Sequence, residues 1–228
     1  MTMKHAAPSA SGELAVEIPA GRARLPGTLA LPPRARGIVL FAHGSGSSRM
    51  SPRNRQVARV LLDAGLGTLL FDLLTPDEDR DYATRFDIPL LSSRLAAATR
   101  WLRNAPAATG LPTGYFGAST GAAAALVAAA ELGSAIGAVV SRGGRPDLAG
   151  ADALGRVTAP TLLIVGGEDH TVITLNRDAC ARLACEKALR IVPGATHLFE
   201  EPGTLEAVAT LACDWFVRFL APAATGTQ

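Results

Sequence analysis

TGYFGASTGAAAALVAAA, residues 113–130, runs from a short apolar strand through a turn of small residues into an alanine-rich helix. The turn carries Ser119 at its tip, between Gly117 and Gly121, in the pattern G-x-S-x-G. A turn that only reverses the chain has no need of a serine there. A strand-to-helix turn that lifts a nucleophile clear of the backbone does need one, and small residues at 117, 118 and 121 let strand and helix approach closely. The plain alternative is a tight turn with the serine as helix N-cap.

Outward from this turn, strand and helix signals alternate. Upstream, residues 14–19 (LAVEIP) and 23–31 (ARLPGTLAL) read as two strands joined by a turn at Ala20-Gly21, and residues 37–42 (GIVLFA) as a third that is apolar on both faces. Ser51 and Pro52 open a helix to about Ala64, with serine as cap and proline at the first position. Residues 67–72 (GTLLFD) form a strand, a polar stretch follows, and a helix covers about 90–103. After the elbow strand (113–117) and its helix (119–132), strands are expected at 136–141, 161–165 and 188–192, with helices at 174–185 and 204–220. Such alternation predicts a mainly parallel sheet with helices on both faces, its opening pair of strands forming the antiparallel edge. One domain over residues 13–220 is expected, with disordered tails at 1–12 and 221–228.

A serine hydroxyl needs a base to take its proton. The sequence offers four histidines: His5 in the N-terminal tail, His43 at the end of the third strand, His170 directly after Asp169, and His197 in the turn-rich PGATHLFEEP. Elimination favours His197, because loops at one end of the sheet converge near the elbow. Its imidazole in turn needs a carboxylate to fix the tautomer. Asp169 in LLIVGGEDH lies just past an apolar strand, with Glu168 and Asp147 as rivals. The loop HGSGSS, residues 43–48, supplies glycines that let backbone N–H groups face a developing oxyanion. The expected donors are the N–H of Thr120, at the positive end of a helix, and that of Ser45 or a neighbour; His43 and Gly44 of the same loop are candidate substrate-binding residues. Arg53 or Asn54, in PRNR (52–55), is placed to brace the loop from behind.

AHGSGSS, YFGAST, VGGEDH and GATHLFEEPG, in that order, resemble the α/β-hydrolase superfamily and most closely its dienelactone hydrolase-related branch. The resemblance spans about Leu14 to Leu220. It implies an eight-stranded, mostly parallel sheet with an antiparallel second strand, the chain order serine, acid, histidine, and hydrolysis through an acyl-enzyme. Dienelactone hydrolases proper carry cysteine as nucleophile, whereas this sequence has Ser119.

Composition narrows the rest. The 228 residues are 48% hydrophobic, which suits a full-sized core, and the net charge of +2 with scattered arginines gives no polyanion groove. Neither nucleic acid nor a membrane is expected as partner, because no apolar run spans a bilayer and the N-terminus lacks the apolar middle of a signal peptide; a cytoplasmic protein is expected. Three cysteines without a CxxC pair point to no metal site, and no cofactor is expected. The sequence sets no oligomeric state. Residues 142–160 are too few for a cap domain of several helices, so the site should be shallow and open. Within them, Arg142 and Arg145 of SRGGRPD follow a strand end and are candidates to meet an anionic substrate group; solvated arginines are the plainer reading, as is a solvated loop for RFDIP (85–89), whose other reading is a further wall of the site. The expected activity is hydrolysis of a small-molecule ester or lactone. An acyltransferase, thioesterase or perhydrolase would use the same triad, and a non-catalytic binding protein would use the same scaffold.

Overall fold

The structure, a computed structural model, describes residues 12–220. The tails expected at 1–12 and 221–228, and His5, lie outside these residues apart from Gly12. Eight strands form one sheet: β1 (Glu13–Ala20), β2 (Ala23–Ala30), β3 (Ile38–Ala42), β4 (Gly67–Phe71), β5 (Thr113–Ala118), β6 (Ala138–Arg142), β7 (Thr161–Gly166) and β8 (Lys187–Val192). Their order is β1-β2-β4-β3-β5-β6-β7-β8. The β1–β2 and β2–β4 pairings are antiparallel, and all others are parallel. The second strand is thus antiparallel to both neighbours, as the family resemblance implied.

Among the described residues six helices cover the two faces: α1 (Pro52–Asp63), α2 (Ile88–Arg103), α3 (Thr120–Leu132), α4 (Gly150–Arg156), α5 (His170–Arg182) and α6 (Thr204–Phe219). Successive residues of a strand point to opposite faces, which splits the core in two. Leu40, Leu69, Tyr115, Val139 and Leu163 pack with α2 and α3, while Val39, Phe41, Phe116, Val140 and Ile164 pack with α1 and α6. Tyr115, fully buried, shares its hydroxyl with Thr99 of α2 at 2.6 Å, so this aromatic brings no orphaned polar atom into the core. Ser51 caps α1, its hydroxyl accepting from the Asn54 N–H, with Pro52 in the first turn.

The structure differs from the expected elements in the crossovers. Residues 142–160 hold a 3-10 turn (Pro146–Ala149) and α4, neither of them expected, while the expectation of no cap domain there stands. Helix α5 begins at His170, four residues before the expected start, because Asp169 occupies its N-cap position. The polar stretch before α2 folds into two single 3-10 turns, Glu78–Arg80 and Thr84–Phe86. Among the described residues no helix is long and apolar enough to cross a membrane.

Chain order reverses between β3 and β5, where β4 lies on one side of β3 and β5 on the other. A crevice opens at such a switch point, outside the carboxyl ends of the strands. There α3 lies so near β3 that a Cβ on Gly121 would sit 2.1 Å from the Ala42 carbonyl oxygen, and one on Gly117 would sit 2.5 Å from the Ala122 Cα. Gly155, in α4, faces open space. Gly121→Ala should therefore destabilise the fold by at least about 2 kcal/mol through overpacking. Gly155→Ala should stabilise it by about 0.5–1 kcal/mol by lowering the entropy of the unfolded chain. Urea unfolding of the pair checks both signs.

Candidate active site

Ser119 joins β5 to α3 with φ 50° and ψ −121°, a conformation that side chains other than glycine avoid. Its backbone is held from both sides: its N–H donates to the Arg142 carbonyl at 3.2 Å, and its own carbonyl accepts from Ala122 and Arg145 at 3.1 Å each. The hydroxyl makes no capping bond to α3. A serine that served as N-cap would use its oxygen on those amides. Here the oxygen is left free at the tip of a strained turn.

His197 lies in the loop after β8. Its Nδ1 and Asp169 Oδ2 are 2.6 Å apart. Asp169 makes no side-chain capping bond to α5 despite its N-cap position, so its carboxylate serves the imidazole instead. The rivals for the acid role are accounted for: Glu168 is exposed, and Asp147 is held bidentate by Arg145 at 2.9 and 2.7 Å. The His197 loop is tied down by Thr196, whose N–H and hydroxyl both donate to Glu201, and by Phe199, 1% exposed at φ 56° and buried in the core beside α6. A Cβ on Gly143 would lie 3.1 Å from the His197 carbonyl oxygen and 3.6 Å from its Cε1. Ser119 and His197 thus flank the Arg142–Gly143 peptide, one bonded to its carbonyl and the other packed on its glycine.

The 43–48 loop closes the other side. A Cβ on Gly44 would lie 3.0 Å from the Ser119 Cβ, so the loop backs directly onto the elbow. The Ser45 N–H donates to Thr120 Oγ1 at 2.9 Å. This amends the sequence expectation: the amide is beside the elbow, but Thr120's side chain already engages it. His43 differs more. It is 7% exposed, its Nε2 accepts from the Leu73 N–H at 3.0 Å, and its Nδ1 lies 3.0 Å from the Gly44 carbonyl. That pattern fixes a neutral Nδ1–H tautomer. With both nitrogens used, His43 fastens the loop to the end of β4 and leaves no hydrogen-bonding group for a substrate.

A small cavity of about 10 Å³ opens here, lined by His43, Gly44, Ser45, Arg85 and Thr120 among others. Arg85 belongs to RFDIP, for which the sequence offers a wall of the site beside the plainer reading of a solvated loop. Its guanidinium is clamped on the Asp79 carbonyl and carboxylate at 2.7–3.3 Å and forms a wall. The six-residue spacing to Asp79 is no recognisable motif. Of the two arginines singled out after β6, Arg145 is committed to Asp147, which removes it as an anion binder, whereas Arg142 has no such partner. Arg53 pairs with Glu200 at 2.9 Å, bridging α1 to the His197 loop rather than bracing residues 43–48. Asn54 is buried within α1.

Two stability effects follow. Replacing Ser119 by glycine relieves the strained φ, and Ser119→Gly should stabilise the protein by about 1 kcal/mol in urea unfolding. Ser119→Ala, which keeps the Cβ, should not. Burial lowers the His43 pKa below its ordinary 6.5, outweighing the Gly44 carbonyl and the charges of Asp72 and Asp79, which act the other way. The unfolded chain therefore takes up a proton below pH 6.5 that the folded one resists. Stability should be flat in this respect above pH 6.5 and fall below it, with a slope of up to about 1.4 kcal/mol per pH unit. That part of the slope should vanish in His43→Asn.

No protein-family model matches the chain. It is similar to a dienelactone hydrolase from Anabaena variabilis ATCC 29413 of known crystal structure, with 60% identity, 91% of this chain and 98% of that one covered, and a TM-score of 0.88. Est1E from Butyrivibrio proteoclasticus shares the fold at 17% identity, with a TM-score of 0.77 over 90% of this chain and 98% of its own. Two relatives from Mycobacterium tuberculosis strains, provisionally named phosphoribosyl transferases, are 62% identical over 205 residues. Those residues are 90% of this chain but 46% of theirs, so the chain spans about half the length of the curated relatives it matches. Identity of 60% across nearly the whole of both the Anabaena enzyme and this chain makes it a member of the dienelactone hydrolase branch of the α/β-hydrolases.

Proposed function

We propose that the protein is a serine hydrolase that cleaves a small ester or lactone through an acyl-enzyme on Ser119. The observation that carries this reading is a serine strained at φ 50°, with its hydroxyl unused as a cap, which flanks the same Arg142–Gly143 peptide as a histidine paired with an aspartate at 2.6 Å. Strain of this kind costs of order 1–3 kcal/mol and is kept where function needs it.

In the proposed reaction His197 Nε2 takes the Ser119 proton as Oγ attacks the substrate carbonyl carbon. Asp169 accepts the Nδ1–H, holding the tautomer and offsetting the imidazolium charge. The Thr120 N–H, at the start of α3, faces the oxyanion with the helix dipole behind it. The Ser45 N–H joins it by turning from Thr120 Oγ1. The carbon–oxygen bond to the alcohol then breaks, and His197 returns the proton to the departing oxygen. Water, deprotonated by His197, releases the acid and restores Ser119.

The phosphoribosyl transferase name is best assigned to the part of the mycobacterial relatives that this chain does not span. In support, a 60% identical chain matched over 98% of its own length is named a hydrolase.

Ser119→Ala should lower the turnover of a short-chain p-nitrophenyl ester at least about a thousandfold with folding intact, because triad members act as a unit. Asp169→Asn should also be severe, through the wrong imidazole tautomer. A fluorophosphonate probe should label the wild type at Ser119 and leave Ser119→Ala unlabelled. Labelling or ester turnover that persists in that variant overturns the reading.

A further inference from the structure

Two arginines are buried among the described residues, and the fold treats them differently. Arg94, 9% exposed, leaves its Nε enclosed without a partner, as Arg142 does, but donates from Nη1 to the Ala20 carbonyl and from Nη2 to Glu78 at 2.6 Å. Arg142, 7% exposed, has no side-chain hydrogen bond and no ion pair, and its Nε is enclosed without a partner. What it does have is the Phe199 ring, 5.9 Å from the guanidinium carbon, at the outer limit of a cation–π contact. The charged group that bears on it is a second cation, Arg53, whose Nε is likewise enclosed and unpartnered. Burial, and then Arg53, bring Arg142 down to about 10, which leaves it charged at neutral pH. A buried cation without a counter-charge is among the costliest features a fold can keep.

Both arginines adjoin the proposed reaction centre. The Arg142 carbonyl accepts the Ser119 N–H, and its guanidinium lies over a ring two residues past His197. Arg53 stands in the first turn of α1, just after the 43–48 loop, and reaches the His197 loop at Glu200. The missing counter-charge thus belongs between the loop before α1 and the loop that carries His197.

We propose that Arg142 and Arg53 form a phosphate subsite of the active site, so that the ester cleaved here also bears a phosphate group. The ester rests on the hydrolase reading above; the phosphate rests on the two arginines. One guanidinium fork saturates both oxygens of a carboxylate, whereas a tetrahedral phosphate has oxygens for two forks. Its charge of about −1.5 to −2 also meets two cations of which only one has a carboxylate partner. No bond to phosphorus breaks: the phosphate holds the substrate while the carboxylic ester is cleaved.

The test has two arms. In the first, inorganic phosphate is titrated by calorimetry into Ser119→Ala protein, which needs no turnover, and into the same protein with Arg142→Gln, Arg142→Lys or Arg53→Gln added. Phosphate should bind, at least about tenfold more weakly after Arg142→Gln. Arg142→Lys, with a point charge in place of a fork, and the more exposed Arg53→Gln should each lose part of the affinity, and acetate should not compete at equal concentration. In the second arm, kcat/KM is compared for O-acetylglycerol 3-phosphate and O-acetylglycerol. The wild type should prefer the phosphorylated ester at least about tenfold, and the ratio should fall to near one in Arg142→Gln. Absent phosphate binding, or binding indifferent to all three substitutions, overturns the subsite. Acetate binding as tightly as phosphate overturns the choice of ligand. Phosphate binding without substrate preference overturns the assignment to substrate. Loss of all ester turnover in a wild type that still binds phosphate through Arg142 refutes the hydrolase reading and leaves the subsite standing.

Discussion

The start of α3 is pressed against the end of β3 until only a hydrogen atom fits between Gly121 and the Ala42 carbonyl oxygen. That approach dictates what surrounds it. Gly117 has to be bare for the helix to turn back over the strand, and the helix has to be built of small residues. Between the two glycines the chain has too little length for an ordinary turn, so Ser119 takes a positive φ and its side chain is thrown outward. The exposed hydroxyl is thus the geometric result of packing a helix onto a strand at short range. The stability that the close-packed core provides offsets the strain at one residue.

Much of this was legible in the sequence because it depends on local spacing. Gly117, Ser119 and Gly121 stand at fixed offsets, and the strand before them and the alanines after them give the context. Strands β3 to β7 were legible for a similar reason: strands buried on both faces read as unbroken apolar runs between polar ones. What stayed hidden depends on contacts distant in sequence. Helix α4 lies in a stretch rich in glycine and proline, and the tertiary fold overrides that composition. The start of α5 was misread because His170-Thr171-Val172 carries no helix signal of its own, and Asp169 spends its carboxylate on His197 rather than on a cap.

Arginines show the same divide. Arg85, Arg142 and Arg145 look alike in sequence, each in a polar loop after a strand. In the fold, one is a wall clamped by Asp79, one is matched to Asp147, and one has its Nε enclosed and forms no ion pair among the described residues. Only the side chains that converge from elsewhere separate them. His43 is comparable: a histidine beside a glycine-serine loop reads as a substrate contact, yet its two nitrogens are consumed in joining two strand ends.

Helix α3 carries a consequence for how such a protein changes over evolutionary time. From Thr120 to Leu126 every residue is buried, and four consecutive alanines leave no rotamer that could shift to absorb an added methyl group. Any enlargement there must move backbone, and the backbone it moves is the turn that holds Ser119. The rear of the site is therefore closed to drift. Variation that alters which molecules are accepted has to enter from the front, through the segment around Arg85 and the 142–160 crossover, whose exposed positions tolerate exchange. Lineages that share this frame should diverge in those two segments while the alanine helix stays almost unchanged.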